Sequence, residues 1–428
     1  MENPRIGVSL SGGGYRAAAF HLGTLQALDK LHILPRIGVL STISGGSITG
    51  AAYAKSDKSW PDFQKEMTDL ISTKNLIRSA LLSFTGLKTA VFFCAFLGFA
   101  FWLLYTPNPW IFLVVIFIMV WLFLRFQFQI FPISKEIEKL YARYFTKNST
   151  LGELKNNFEL VIGSTNLQTA RPFIFSCNFM GDSAYEFYDD PVLFNPLQFP
   201  LARAVMASSC VPFAFSPVSI DKSFFKNKDQ FSLIQPVIVD GGVYDNQGIH
   251  KIEHTGRYAC DVVIASDAGN KISFSGKYQN MFQIAIRSME VFMTRIKNAQ
   301  LVDDVYNNIN LGKKEVAYLS LGWNAEDSIP GFIKNLQQGN ILSSVIAAHE
   351  LKPEWIMSPA IFTDAITEHL KLRINYNQLD IPSKAELDLA RKVGTNLTPL
   401  SREEIAALVK QATCMTELQV KLYCPSII

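Results

Sequence analysis

From Arg5 to Ala52 the chain switches twice from a short apolar run to a helix-period segment. Arg5 to Leu10 is apolar and strand-like, Ser11-Gly12-Gly13-Gly14-Tyr15-Arg16 follows, and Ala17 to Leu31 sets Leu22, Leu25 and Leu28 at helical spacing. The run from Gly38 to Ile43, rich in apolar and β-branched residues, meets Ser44-Gly45-Gly46 without a spacer, and a helix-prone stretch through Ala52 starts at once. Both predict strand, tight glycine turn, helix. The second turn suits a nucleophile elbow, in which glycines permit the strained backbone that lifts a serine hydroxyl above the sheet edge.

The same alternation resumes after Glu138. Phe158 to Gly163 reads as a strand, Thr165 to Pro172 as a turn, Phe173-Ile174-Phe175 as a strand, and Leu201 to Ser209 as a helix ending at Cys210-Val211-Pro212. Pro236 to Val239 is a buried-type strand that delivers Asp240-Gly241-Gly242, and Asp261 to Ala265 another that ends in Ser266-Asp267. Beyond Lys271 the pattern is largely helical; Ser383 to Val393 and Ser401 to Gln411 read as amphipathic helices with serine N-caps. There is no internal repeat. Strands alternating with helices predict an α/β fold on a mostly parallel sheet.

Lys74 to Lys135 breaks this pattern. Thr89 to Tyr105 and Trp110 to Leu124 are uncharged and apolar, Phe126 to Phe131 extends the second past Arg125, and Thr106-Pro107-Asn108-Pro109 is the turn between them. A spanning helix needs about 20 apolar residues and no fewer than about 17. The first segment qualifies, and the second does with Arg125 snorkelling to the headgroups. Tyr105 and Trp110 flank the turn as interfacial anchors do. A buried soluble hairpin is the alternative, and it would have to cover these aromatic surfaces completely. Lys74, Arg78 and Lys88 precede the hairpin while Arg125, Lys135 and Lys139 follow it, so the positive-inside rule places both flanks in the cytoplasm.

Composition adds exclusions. A net charge of +3 over 428 residues gives no phosphate-backbone footprint, which argues against nucleic acid, and 49% hydrophobic residues suffice for a core. Cys94, Cys177, Cys210, Cys260, Cys414 and Cys424 are scattered, without zinc spacing, which points to a reduced compartment and no structural metal. The N-terminus leads straight into a strand, with no signal-peptide pattern.

Ser44 is the better nucleophile candidate, with Gly46 two residues on, although Thr42 stands where G-x-S-x-G has its first glycine. Ser47 is the rival, and a plain N-cap role for Ser44 the bland alternative. Asp240, at a strand's carboxyl end before two glycines, sits where an α/β fold places a catalytic group; an Asx-turn is its structural alternative and Asp267 the rival acid. Gly12-x-Gly14-x-x-Ala17 loosely fits a dinucleotide fingerprint, but the second strand ends in Ser44-Gly45-Gly46 rather than in the acid a ribose requires. That favours a loop whose backbone N–H groups approach a reacting carbonyl. Arg16 either fixes this loop, meets a phosphate or forms a surface salt bridge. His21, His32, His250, His254, His349 and His369 form no cluster and nominate no base for a Ser-His-Asp triad.

Four pieces together resemble the patatin-like phospholipases: Ser11-Gly12-Gly13-Gly14-Tyr15-Arg16, Ile43-Ser44-Gly45-Gly46, Ala207-Ser208-Ser209-Cys210-Val211-Pro212 and Asp240-Gly241-Gly242. The resemblance spans Arg5 to Gly269, interrupted by the hairpin. It implies a three-layer α/β/α hydrolase with a central, mostly parallel sheet, into which the two-helix membrane hairpin read from hydropathy is inserted. The first part of the catalytic domain is expected at 1–78, the hairpin at 79–133, the second part at 134–290 and a mainly helical region at 291–428. It also implies a Ser44–Asp240 dyad, an oxyanion loop at Gly12, Gly13 and Gly14, an acyl-enzyme, and no metal or cofactor. The expected substrate is a phospholipid or related lipid ester in the bilayer beside which the hairpin holds the enzyme. An acyltransferase or neutral-lipid lipase on the same dyad, or a non-catalytic lipid-binding membrane protein, are the alternatives. The sequence leaves headgroup, acyl position and oligomeric state open.

Overall fold

The computed structural model describes residues 4–154, 157–253, 256–270, 278–306 and 314–428; His254 lies outside them. Strands β1 (Ile6–Leu10), β2 (Ile37–Ile43), β3 (Glu159–Asn166), β4 (Arg171–Phe175), β5 (Met180–Gly181), β6 (Val218–Ser219), β7 (Val237–Asp240), β8 (Val262–Asp267) and β9 (Glu315–Ser320) form one sheet in the order β5-β4-β3-β2-β1-β8-β9. β3, β2, β1, β8 and β9 run parallel, while β4, β5, β6 and β7 pair antiparallel. Parallel strands covered on both faces should read as continuous apolar runs, and β1 and β8 are buried at every residue. Alternate side chains serve two cores. Ile6, Val8, Leu40, Ile264 and Leu319 belong to the larger one, and Val39, Val161, Val263 and Tyr318 to the smaller.

Helices α1 (Gly14–Lys30) and α2 (Gly45–Lys55) follow β1 and β2 directly. The C-terminal helix Arg402–Tyr423 crosses α1 so closely that a Cβ on Gly23 would lie 2.2 Å from the Val409 carbonyl oxygen. Ser383 and Ser401 both cap their helices, each in a reciprocal box with a glutamate three residues on. β9 departs from the expected helical region: Val316 to Leu319 is too short an apolar run to announce a strand, and pairing with β8 makes it one. The expected turn at Thr165 to Pro172 is also shorter, because β3 runs to Asn166 and β4 begins at Arg171. The boundary expected at residue 290 falls within helix Met281–Gln300.

The hairpin comprises helices Phe84–Trp102 and Ile111–Ile130. Phe93 meets Phe123, and Phe101 meets Phe112, with ring centroids 5.6 and 5.7 Å apart. Their outward faces, including Val91, Phe99, Trp102, Leu113, Phe117 and Trp121, are exposed, and no other described residue covers them. Both helices are long and apolar enough to cross a membrane. At the base, Thr85 Oγ1 donates to Glu136 at 2.9 Å and Thr89 Oγ1 to the Ile130 carbonyl at 3.1 Å. Helix Ile133–Tyr144 then carries the chain back, and Tyr141 and Ser209 exchange a hydroxyl contact at 3.2 Å.

Candidate active site

β3 aligns the two candidate catalytic residues. On its β2 side Ile43 pairs with Gly163, and one residue further Asp240 pairs with Ser164. β7 therefore continues end-on from where β2 stops. The elbow that leaves Ile43 and the carboxylate that closes β7 meet at one point of the sheet edge.

Ser44 is held at φ 49° and ψ −115°, a rare conformation for a side-chain-bearing residue. Such strain costs about 1–3 kcal/mol and persists only where the surroundings impose it. Its hydroxyl caps nothing on α2, so the N-cap reading fails for the side chain. Its N–H is held instead, donating to Ser208 Oγ at 2.8 Å. Ser208 Oγ in turn donates to the Gly163 carbonyl at 2.6 Å, and Ser47 Oγ sits 2.9 Å from it. Ser47 also donates to Thr42 Oγ1 at 3.1 Å and is fully buried, so it belongs to the elbow's underside. Thr42 is tolerated where a glycine is usual because Gly50 makes room: a Cβ there would lie 2.5 Å from the Thr42 methyl.

The glycine-rich loop packs backbone-to-backbone on the elbow. Gly46 N–H donates to the Ser11 carbonyl at 3.1 Å, and a Cβ on Gly45 would stand 2.2 Å from the Gly14 oxygen. The N-termini of α1 and α2 thus converge, with their partial positive charge. Gly12 N–H is already committed to the Asn246 carbonyl at 3.0 Å, whereas Gly13 and Gly14 N–H make no hydrogen bond among the described residues. A side chain on Gly12 would collide with Asn246 Oδ1 and come within 3.2 Å of Ser44 Cβ, so this glycine is what leaves space beside the serine.

Asp240 Oδ1 accepts from Gly242 N–H at 2.7 Å, which is the Asx-turn considered from sequence. Oδ2 is buried with no hydrogen-bond partner of ordinary geometry among the described residues, although the neighbouring Ser44 hydroxyl helps draw the carboxyl's pKa down. Burial outweighs both contacts and pushes it up to about 6. The backbone is fixed at both ends: Asp240 N–H donates to the Cys210 carbonyl at 3.1 Å, and its carbonyl accepts from Thr165 Oγ1 at 3.0 Å. The rival differs. Asp267 accepts from Lys297 Nζ at 2.5 Å, Gly269 N–H at 2.8 Å and Tyr318 Oη at 2.9 Å, and although burial opposes ionisation, these contacts hold its pKa below the usual value.

Four contributors were not assigned roles from sequence. Ser208 and Cys210, in one short segment, hold Ser44 and Asp240 respectively. Asp245 is buried and accepts from Gln247, Gly248 and His250 N–H at 3.0–3.1 Å, fixing the loop after β7. Asn246 braces Gly12. Asp245-Asn246 after Asp240-Gly241-Gly242 was the available signal, but short polar residues in a glycine loop read equally well as turn formers. His21 is structural: it contacts Ser266 Oγ and the Ser11 carbonyl through its two nitrogens, and burial brings its pKa to about 4. Arg16 reaches the Val393 carbonyl rather than a surface acid. No group of three or more His, Cys, Asp or Glu side chains that could hold a metal occurs among the described residues.

The model of the patatin-like phospholipases matches residues 8–251, more than half of the chain and all four motifs. The chain belongs to that family. Its sheet, flanked by helices, is the patatin-like fold, and the protein is a lipid acyl hydrolase. No curated protein sequence matches significantly. Among solved structures it resembles VipD from Legionella pneumophila at 13% identity, with 97% of this chain and 92% of that one covered and a TM-score of 0.33. It also resembles human GIVD cytosolic phospholipase A2, at 11% identity, 99% and 62% coverage and a TM-score of 0.46. ExoU of Pseudomonas aeruginosa, solved with SpcU, gives 15% identity, 95% and 76% coverage and a TM-score of 0.24. The chain thus spans about three fifths of the human phospholipase.

Proposed function

We propose that this patatin-like hydrolase cleaves a phospholipid or related lipid ester of the bilayer through a Ser44–Asp240 dyad. The observation that carries the reading is the strained Ser44 beside a buried carboxylate with one uncommitted oxygen and a pKa raised to about 6. Ser44 Oγ attacks the ester carbonyl carbon and passes its proton to Asp240 Oδ2. Gly13 and Gly14 N–H groups, with the α1 and α2 N-termini, receive the charge on the carbonyl oxygen. The ester C–O bond breaks and the leaving alcohol takes the proton back. Water then attacks the acyl-enzyme with Asp240 as base, freeing the fatty acid and Ser44. No histidine and no metal enter this scheme.

The hairpin anchors the enzyme as two membrane-spanning helices, with the catalytic part on the cytoplasmic side by the charge rule. Its uncovered apolar faces support insertion in the bilayer. The reading is tested with full-length protein and phospholipid vesicles. Ser44→Ala and Asp240→Asn should each lower turnover roughly a thousandfold or more, and the pair hardly further, because the two act as a unit. Ser47→Ala should retain substantial activity. Activity in Ser44→Ala with none in Ser47→Ala would overturn the assignment. Acyl transfer to an added lipid alcohol, in place of free fatty acid, would make the protein an acyltransferase.

A further inference from the structure

Helix Met281–Gln300 lies beyond the residues that the family model matches, yet its C-terminal half touches the site. Met293 Cε is 3.1 Å from where a Gly242 Cβ would stand. Lys297 pairs with Asp267, and Gln300 is close enough to Asp245 to help draw down a carboxyl that burial raises. Phe282, Ile286, Met289, Met293 and Ile296 form one stripe at helical spacing. Met289, Met293 and Ile296 are partly covered, but Phe282 is 75% exposed and Ile286 also faces solvent. Met281 and Phe292 widen the uncovered surface on one side of the stripe, and no residue of the helix is buried. Arg287 and Arg295 lie on the polar side.

A second exposed apolar group belongs to the segment that holds Asp240. Phe213 follows Cys210 by three residues, is 65% exposed and is kept at φ 70°. A bulky residue with positive φ that faces solvent is strained without gaining burial. Between these groups the dyad is nearly closed, with Ser44 6% and Asp240 4% exposed. A lipid ester reaches Ser44 only if something at the mouth moves.

We propose that Met281–Gln300 is an interfacial helix whose N-terminal half lies among the lipid headgroups, with Phe213 joining the contact, so that docking on a bilayer opens the site. Amphipathic helices with a broad apolar arc and a basic flank bind this way; Arg295 complements anionic headgroups, while Arg287 is paired with Glu290 at 2.9 Å. The proposal rests on the lipid-hydrolase reading, since that substrate lies in the bilayer the helix meets.

Two measurements on full-length protein in phosphatidylcholine–phosphatidylglycerol vesicles test it. The first needs no catalysis: bimane on Phe282→Cys, with Cys94→Ser and Cys177→Ser, should be quenched by brominated acyl chains. Unquenched, water-exposed label would overturn the proposal even with the hairpin inserted. The second compares substrates. Phe282→Ser with Ile286→Ser should keep wild-type hydrolysis of a soluble short-chain ester, which also reports folding, while hydrolysis of vesicle phospholipid falls about tenfold or more. Equal vesicle activity in variant and wild type would overturn it. Failure of the hydrolase reading is distinct: Ser44→Ala would then change neither rate, whatever the label reports.

Discussion

Burial raises the Asp240 carboxyl to about 6, against the pull of Gly242 N–H and Ser44. Only the ionised form can take the Ser44 proton, so kcat/KM should rise with pH through about 6 and level off above it. A pH–rate profile on a soluble ester checks this; a flat profile from pH 5 to 8 would exclude Asp240 as the base. Stability runs the opposite way. The folded state favours the protonated acid, so this stabilisation is complete below the unfolded value of 3.8 and is lost as pH rises to about 6. Asp240→Asn keeps the Oδ1 acceptor and removes the buried charge. It should abolish hydrolysis while stabilising the fold by about 1–3 kcal/mol at pH 7, read by thermal or denaturant unfolding. Ser44 and Asp240 were legible in sequence because strand-end chemistry marks both. Ser208, Asp245 and Asn246 were not, because their roles exist only in hydrogen bonds between segments far apart in the chain.

The elbow, the glycine loop and the Ser208–Cys210 segment act as one element. Ser208→Ala removes the acceptor for the Ser44 N–H, and an unpaired buried donor costs about 1–3 kcal/mol. As a positioning change it should lower kcat about tenfold to a hundredfold with KM nearly unchanged. An equal loss of soluble protein and of activity, with kcat per folded molecule intact, would reduce Ser208 to a purely structural role. Gly13, at φ 143°, tolerates no side chain without moving the N–H groups around it. Gly13→Ala should therefore weaken turnover by about 3 kcal/mol of transition-state stabilisation, measured as kcat. A melting temperature raised by nucleotide, and no longer raised in this variant, would instead revive the dinucleotide reading. Long periodic elements such as α1 were legible from their spacing. β9 was not, because its strand character comes from β8 beside it.

At the scale of the molecule, the hairpin leaves and re-enters the fold beside the site: helix Ile133–Tyr144 reaches Ser209 through Tyr141, next to Ser208. Its apolar length was plain in the sequence, whereas its coupling to the elbow required the packed structure. Replacing Thr89 to Leu124 with a short Gly/Ser linker should release the protein from carbonate-washed membranes and spare hydrolysis of a soluble ester. Retention in the membrane would show that other surfaces anchor it. That Ser44, deprotonated by Asp240, is the nucleophile of this hydrolase is checked by reacting the full-length protein with a lipid-like fluorophosphonate and mapping the adduct by mass spectrometry. One adduct is expected, on Ser44, absent in Ser44→Ala and formed far more slowly in Asp240→Asn; an adduct on Ser47, or undiminished labelling of Ser44→Ala, would contradict the dyad.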